Sequence, residues 1–499
     1  MSQSPRATAE SPVAGRTRQL VEAPITPTLL RLAMPNVVVM MAQVVVSTCE
    51  VYFISWLGTE ALAGVSLVFP LIMLMQTMSA GGMGGGVASA VARALGAGRR
   101  SDANALALHA LVIAGALGVL FTTGALWGGP ALYRAMGGEG RALAAALTYS
   151  NVVFAGALGV WLFNTLASVV RGTGNMLLPA GLVVGGGVLT LTLSPALILG
   201  WGPVPALGIA GAGVALLVYY SLGSLVLLVY LCSGQSLVQL ALAERRLQRS
   251  MFWEILRVGV PGSLNTVLTN LNVALLTSLV GPFGTFALAG YGMGARLEYL
   301  QIPLVFGFGA ALVTMVGTNI GAGHMARARR VAWVGAGLAA AVTGSIGLFG
   351  AVFPHLWLGL FSTHPEVLRV GTTYLQLVGP AYGCFGLGLA LYFASQGAGR
   401  LLWPLVAGVV RLVIAAGGGW VASRWFGGGL SAVFTAIAVA FVLYAAIVAA
   451  AIRAGTWHEA ARQSVARHEP HTAMTLCGDQ GCRCYRSSEN ELEIQDWRP

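Results

Sequence analysis

The chain has no lysine, and only 9% of its 499 residues are charged. A water-soluble domain carries about 25% charged residues, so a soluble fold of this length is excluded. Histidine is sparse as well. The seven histidines, at 109, 324, 355, 364, 458, 468 and 471, form no H-E-x-x-H pair, which removes the usual ligand set of a membrane metalloprotease. Walker-type loops are missing too, which argues against direct drive by ATP. Of six cysteines, Cys49, Cys232 and Cys384 lie in or at apolar runs, and Cys477, Cys482 and Cys484 lie near the end. No disulfide framework is implied, and C-x4-C-x-C is not a standard zinc spacing. Neither a cofactor nor a metal is expected. Residues 1–27 are polar and lack the apolar core and cleavage site of a signal peptide, so the first apolar run is expected to be retained.

What the chain does have is apolar length. Hydrophobic residues make up 56% and the mean hydropathy is +0.77. Uncharged runs recur near the ~20 residues that a membrane helix requires. The expected spans are 29–56, 61–88, 104–128, 142–169, 177–200 and 206–232, then 255–280, 287–317, 331–353, 370–395, 403–424 and 430–452. Helix is the default, because within a bilayer each backbone polar group must be satisfied inside its own segment. The 68 glycines fall largely inside these runs, where small residues let helices approach closely. The fold class expected is therefore all-α, a polytopic membrane protein with the bilayer as its surroundings.

The net charge of +11 is carried by arginine alone and is distributed unevenly. With a cytoplasmic N-terminus, inner loops hold Arg93, Arg99, Arg100, Arg171, Arg245, Arg246, Arg249, Arg327, Arg329, Arg330 and Arg400. Outer loops and span ends hold Arg134, Arg141, Arg369 and Arg424. That asymmetry follows the positive-inside rule and puts both termini in the cytoplasm. The arginines sit in membrane loops, so nucleic acid is not an expected partner. All-arginine, Ala/Gly-rich usage points to a bacterial chain and hence to the inner membrane.

The chain repeats itself. L-L-R-L-A-M-P at 29–35 meets I-L-R-V-G-V-P at 255–261, an offset of 226. L-G-T-E-A-L-A-G at 57–64 meets F-G-T-F-A-L-A-G at 283–290, with six of eight identical. A-L-G-A-G (94–98) then meets N-I-G-A-G (319–323), and R-G-T-G-N (171–175) meets Q-G-A-G-R (396–400), both at an offset of 225. Each repeat holds six spans, so the twelve helices form two pseudo-symmetric six-helix lobes with a path between them. The expected organisation is an N-terminal tail (1–28), an N-lobe (29–232), a linker (233–254), a C-lobe (255–453) and a tail (454–499) expected to be disordered.

R-L-A-M-P (31–35), C-E-V-Y-F-I-S-W-L-G (49–58), E-A-L-A-G-V-S (60–66), G-M-G-A-R-L-E (292–298) and T-M-V-G-T-N-I-G-A-G (314–323), followed by Arg327 and Arg329, resemble the multidrug and toxic compound extrusion (MATE) exporters. The resemblance covers residues 28–453. It implies a V-shaped antiporter that exchanges H⁺ or Na⁺ for small cationic or amphipathic compounds.

Away from span ends, only two acids lie in the apolar runs, Glu50 and Glu298. A charge near the bilayer centre costs ~3 kcal/mol or more, so each asks for a reason. Both break the repeat: Leu276 stands opposite Glu50, and Ile72, within one residue, opposite Glu298. Glu50 lies fifteen residues after Pro35, where many relatives carry an aspartate, and is the candidate ion-coupling acid. Its other reading is a carboxylate snorkelling at the outer end, since the 19 residues from Arg31 span roughly 28 Å. Where relatives carry N-x-x-x-D-P, this chain reads T-L-T-L-S-P (190–195), which makes Thr190 and Ser194 hydroxyl partners for the coupling ion. Carboxylates of the family's sodium type are replaced by Thr269 and, near the tenth-span position, Phe385, which favours H⁺.

Glu298 is a candidate for cationic substrate or for a structural ion pair with Arg411. Arg296, two residues away, cannot face it on one helix. Gln43, Tyr52, Tyr299 and Gln301 are further substrate candidates. Asn164, Asn319, Phe53, Trp161, Phe163, Tyr291, Tyr382 and Tyr392 could line a cleft as well, since aromatic faces attract organic cations. Gly81–Gly86 is expected to serve close packing or a hinge. A flippase for a lipid-linked headgroup is the alternative function. It would favour an arginine-rich cleft, and the in-span arginines, such as Arg296 and Arg411, are few. A membrane-embedded enzyme is the third possibility and lacks a recognisable catalytic cluster.

Overall fold

The computed structural model describes residues 12–201, 205–240, 247–425, 429–457, 477–478 and 481–482. Every expected span is a helix. The N-lobe holds Ile25–Ser55, Thr59–Gly96, Arg100–Ala135, the bent pair Gly140–Ala155 and Ala157–Gly172, Leu177–Leu199 and Ile209–Cys232. The C-lobe holds Arg249–Phe283, Thr285–Gly321, Met325–Val352, Pro365–Ala398, Leu402–Trp425 and Gly429–Arg453. Most helices outrun the apolar cores read from the sequence. Their ends continue into polar flanks, so the terminal N–H and C=O groups emerge where water can reach them. Cys477–Gly478 pairs antiparallel with Gly481–Cys482. The rest of the tail beyond Trp457, with Cys484, His458, His468 and His471, lies outside the described residues, as do Glu244, Arg245 and Arg246 of the linker.

Each lobe has its own apolar core, and the two cores exchange edges. Leu29 and Ala33 of the first span belong to the C-lobe core, while Ile255 of the seventh belongs to the N-lobe core. Leu29 and Ile255 are the first residues of the matching repeat motif. The first and seventh spans thus start buried in the opposite lobe, and the two halves are interlocked.

Both lobes break the fourth helix of their repeat. The N-lobe helix bends by 47° at Gly156, and Thr122 donates a 2.7 Å hydrogen bond to the Phe154 carbonyl at the break. Such capture of a freed carbonyl is what makes a kink tolerable inside a bilayer. In the tenth span the break is the single 3-10 turn Gly379–Ala381, with Pro380 inside it. Two π-helical turns, Met78–Met83 and Val413–Gly418, interrupt the second and eleventh spans.

At the arginine-rich end the lobes close tightly. A Cβ on Gly86 would lie 2.8 Å from Gly259 N, and one on Gly96 would lie 2.1 Å from the Thr318 carbonyl oxygen. Side chains bridge the same seam. Gln396 Nε2 donates to Gly81 O at 3.0 Å, Arg93 Nη1 to Gly397 O at 3.1 Å, and Thr314 Oγ1 to Arg171 O at 3.0 Å. The Gly81–Gly86 run therefore serves close packing between lobes.

The N-terminal stretch differs from the polar tail read from its composition. Pro12–Glu22 is a helix with Leu20 buried. Asn319 Nδ2 donates to the Leu20 carbonyl at 3.1 Å, and Arg327 donates to the Ala23 carbonyl. Both partners belong to the C-lobe, whereas Leu20 also fills the space beside Gly174 of the N-lobe. One buried leucine and two captured carbonyls give this short helix the tertiary support that it could not supply by itself.

Candidate functional site

The two intramembrane acids lie in different lobes, each among tyrosines. Glu50 is one turn and a half from the end of the first span. One of its carboxylate oxygens is buried and accepts no hydrogen bond. Tyr149 and Tyr220 are both buried and stand close enough to feel its charge. Gln76 lies near the Tyr220 hydroxyl. No Arg or His nitrogen lies within 4 Å of Glu50 among the described residues. One oxygen is thus withdrawn among the helices, while the residue as a whole is half-buried and no cation contacts it.

The hydroxyl partners expected from the fifth span are not bonded to it. Thr190 Oγ1 donates at 2.9 Å to Gly186 O, one turn back on its own helix. Back-bonding of this kind satisfies a buried threonine locally. Ser194 Oγ is buried without a hydrogen-bond partner.

Glu298 is held differently. Tyr374 donates its hydroxyl hydrogen to Glu298 Oε2 at 3.0 Å. Tyr291, Tyr299 and Tyr382 lie within reach of its charge, and so does Arg411. Yet Glu298 and Arg411 are not a contact pair, since no ion pair within 4 Å joins them among the described residues. Arg411 Nη2 donates to Thr269 Oγ1 at 3.4 Å, and its guanidinium lies over the Tyr444 and Phe385 rings at 5.4 and 5.7 Å. Thr269 and Phe385, singled out in the sequence for lacking carboxylates, are thus both neighbours of this arginine. Arg296 is exposed and lies over the Phe361 ring, 5.4 Å from its centroid.

The other sequence candidates scatter. Gln43 and Tyr52 are exposed on the first span, and Tyr299 is exposed on the eighth. Gln301 is fully buried and donates to Leu297 O. Asn164 donates to Ser79 Oγ at 2.9 Å within the π turn, and Asn319 holds the N-terminal helix. Both are framework groups.

Tyr149, Tyr220, Tyr374 and Gln76 were not among the sequence candidates, although a signal for three of them exists. At the 225-residue offset Tyr149 matches Tyr374, Gln76 matches Gln301, and Tyr219 matches Tyr444. The repeat keeps the polar lining of both lobes while moving the acid. The first span supplies it in the N-lobe, and the eighth in the C-lobe.

The MatE family model matches residues 35–196 and 261–421, one copy within each of the two repeats. Among curated proteins, the chain is 28% identical over 405 residues to a protein of Shewanella oneidensis named FAD transporter, covering 79% of this chain and 87% of that one. It is also 28% identical over 362 residues to the probable multidrug resistance protein YoeA of Bacillus subtilis, covering 72% and 78%. Among solved structures, a crystal structure of MATE in the bent conformation superposes with a TM-score of 0.83 at 25% identity, covering 89% of this chain and 99% of that one.

Proposed function

Since the chain belongs to the MatE family, whose members are multi-pass membrane transporters, we propose that it is a secondary exporter that exchanges H⁺ for small cationic or amphipathic compounds. It would lie in the bacterial inner membrane with both termini in the cytoplasm. The observation that carries the coupling is Glu50, a membrane carboxylate with a buried, unpartnered oxygen and no cation in contact. A buried carboxylate without a counter-ion is costly, so it holds a proton or meets a cationic group of the cargo. Competition between those two occupants is the physical core of an exchanger. Binding one releases the other, and each biases the lobes toward a different arrangement.

Cargo is not restricted to cations in this reading. The relative named FAD transporter supports a range that includes large aromatic compounds with acidic groups. Sodium is the less favoured ion, because the positions suited to a second acid are Thr190, Ser194, Thr269 and Phe385. Neither the flippase alternative nor a membrane enzyme has a specific observation in its favour.

The test is efflux of a cationic dye from proteoliposomes under an imposed proton gradient. Wild type transports, and Glu50→Gln stops gradient-driven efflux. Undiminished efflux by Glu50→Gln removes the assignment. Replacing sodium by choline at fixed pH leaves wild-type transport unchanged if the ion is H⁺.

A further inference from the structure

The helix Pro12–Glu22 lies outside the repeated six-helix units and has no part in the exchange. It stops at Glu22, because a residue ahead of proline is steered away from helical backbone. Pro24 itself is extended, at φ −52° and ψ 134°. The short helix and the first span are therefore separate bodies joined by Ala23 and Pro24.

The contacts of this helix come from both lobes. From the C-lobe, Asn319 Nδ2 donates to Leu20 O at 3.1 Å and Arg327 Nη2 donates to Ala23 O. From the N-lobe, the turn after the fourth span presents Gly174, where a Cβ would lie 3.0 Å from Leu20 Cδ1 and 3.8 Å from Arg16 Cδ. Thr17, Val21 and Glu22 wall a cleft together with Gly96 and Arg100 of the N-lobe and Ala322 of the C-lobe. These partners stand together because the seam beside them is shut. A Cβ on Gly321 would lie 2.1 Å from Arg93 O and 3.0 Å from Ala97 N. The linker ahead of the seventh span, which holds the equivalent place in the second repeat, is tied differently. Arg100 Nε donates to Leu237 O at 2.6 Å, Gln239 N to Asn104 Oδ1 at 2.8 Å, and Gln248 N to His109 Nε2 at 2.8 Å. All three anchors belong to the third span, so the linker can travel with the N-lobe.

We propose that the N-terminal helix is a clasp over the arginine-rich seam, docked while the lobes are closed there and released when they part to load cargo. Parting the lobes draws Gly174 away from Asn319 and Arg327. The helix then keeps one set of partners, and Leu20 loses part of its cover. An element that makes more contacts in one state biases the equilibrium toward that state. The clasp thus acts as a brake on opening, and opening in turn must weaken the clasp by the same factor. The inference rests on the exporter reading for the need to open at this end, but the seam can be followed without transport.

The experiment uses the full-length protein in lipid nanodiscs, with its six cysteines replaced by serine. Nitroxides on Ser101→Cys and Arg330→Cys, exposed positions in the first turns of the third and ninth spans, report the distance across the seam by pulsed electron resonance. With the native helix, a short distance should dominate. Leu20→Asp should raise the ratio of long to short distances roughly 10-fold, and Arg327→Gln should raise it as well. The reciprocal arm uses Gly86→Ala, which puts a methyl group 2.8 Å from Gly259 N in the seam, outside the cleft that the helix walls. Trypsin should then cut after Arg16 and Arg18 several-fold faster, although nothing in the helix has changed. An unaltered distance distribution in Leu20→Asp protein whose helix trypsin shows to be released overturns the proposal. So does a Leu20→Asp helix that stays protected, because Leu20 is then no anchor, and so does unchanged protection in Gly86→Ala. A seam that opens as expected alongside efflux that is indifferent to Glu50→Gln would remove only the coupling assignment.

Discussion

Tyr374 donates a 3.0 Å hydrogen bond to Glu298, joining the tenth span to the eighth. The matching tyrosine of the other repeat, Tyr149, instead lies within electrostatic reach of an acid from the first span, Glu50. The tyrosine is common to both lobes while the acid changes helix. Because the first span also packs on the C-lobe, an event at Glu50 acts on a helix that touches both halves. The eighth span, which carries Glu298, likewise packs on both halves, against the first and second spans across the seam.

Tyr374→Phe removes the donor and leaves the Glu298 carboxylate without the hydrogen bond it accepts at 3.0 Å. The cost should be about 1–3 kcal/mol in stability. Thermal unfolding of the detergent-solubilised protein should show a lower midpoint, and binding of a cationic dye should weaken with it. An unchanged midpoint would mean that the bond contributes nothing.

Gly96→Ala puts a methyl group 2.1 Å from the Thr318 carbonyl oxygen, across the seam between lobes. Backbone cannot yield cheaply there, so the arginine-rich end should fail to close and efflux should fall at least 10-fold. Gly181→Ala is the control, since nothing lies within 4 Å of the added carbon. It should transport normally and gain up to about 1 kcal/mol from helix propensity.

Gln396→Leu deletes the donor to the Gly81 and Gly82 carbonyls within the π turn. Amide hydrogen exchange should then quicken across residues 78–86, where opening becomes easier. The far side of each lobe should keep its protection. Uniform change over the whole chain would point to global destabilisation instead.

Leu20→Asp places a charge where a leucine is 3% exposed. The N-terminal helix should undock, and trypsin should cleave after Arg16 and Arg18 several-fold faster than in wild type. The twelve spans do not depend on Leu20 for their own hydrogen bonds, so helical content by circular dichroism should stay the same.

What the sequence by itself determined was whatever is written in a linear pattern. Twelve apolar runs became twelve helices, because a bilayer leaves the backbone no other way to satisfy its polar groups. The offset of 225 to 226 residues became two lobes, because duplicated segments fold alike. Glu50 and Glu298 stood out, because a charge within an apolar run needs no tertiary information to be seen. What only the tertiary structure decided was which groups meet them. Tyr149 is 99 residues from Glu50 and Tyr374 is 76 from Glu298, and nothing local in the chain relates such positions. The same holds for Thr190, whose hydroxyl turned back on Gly186, and for Arg411, drawn to Tyr444 and Thr269 while Glu298 stayed apart. The helical period says which side of a helix a residue occupies; packing between helices decides what stands opposite.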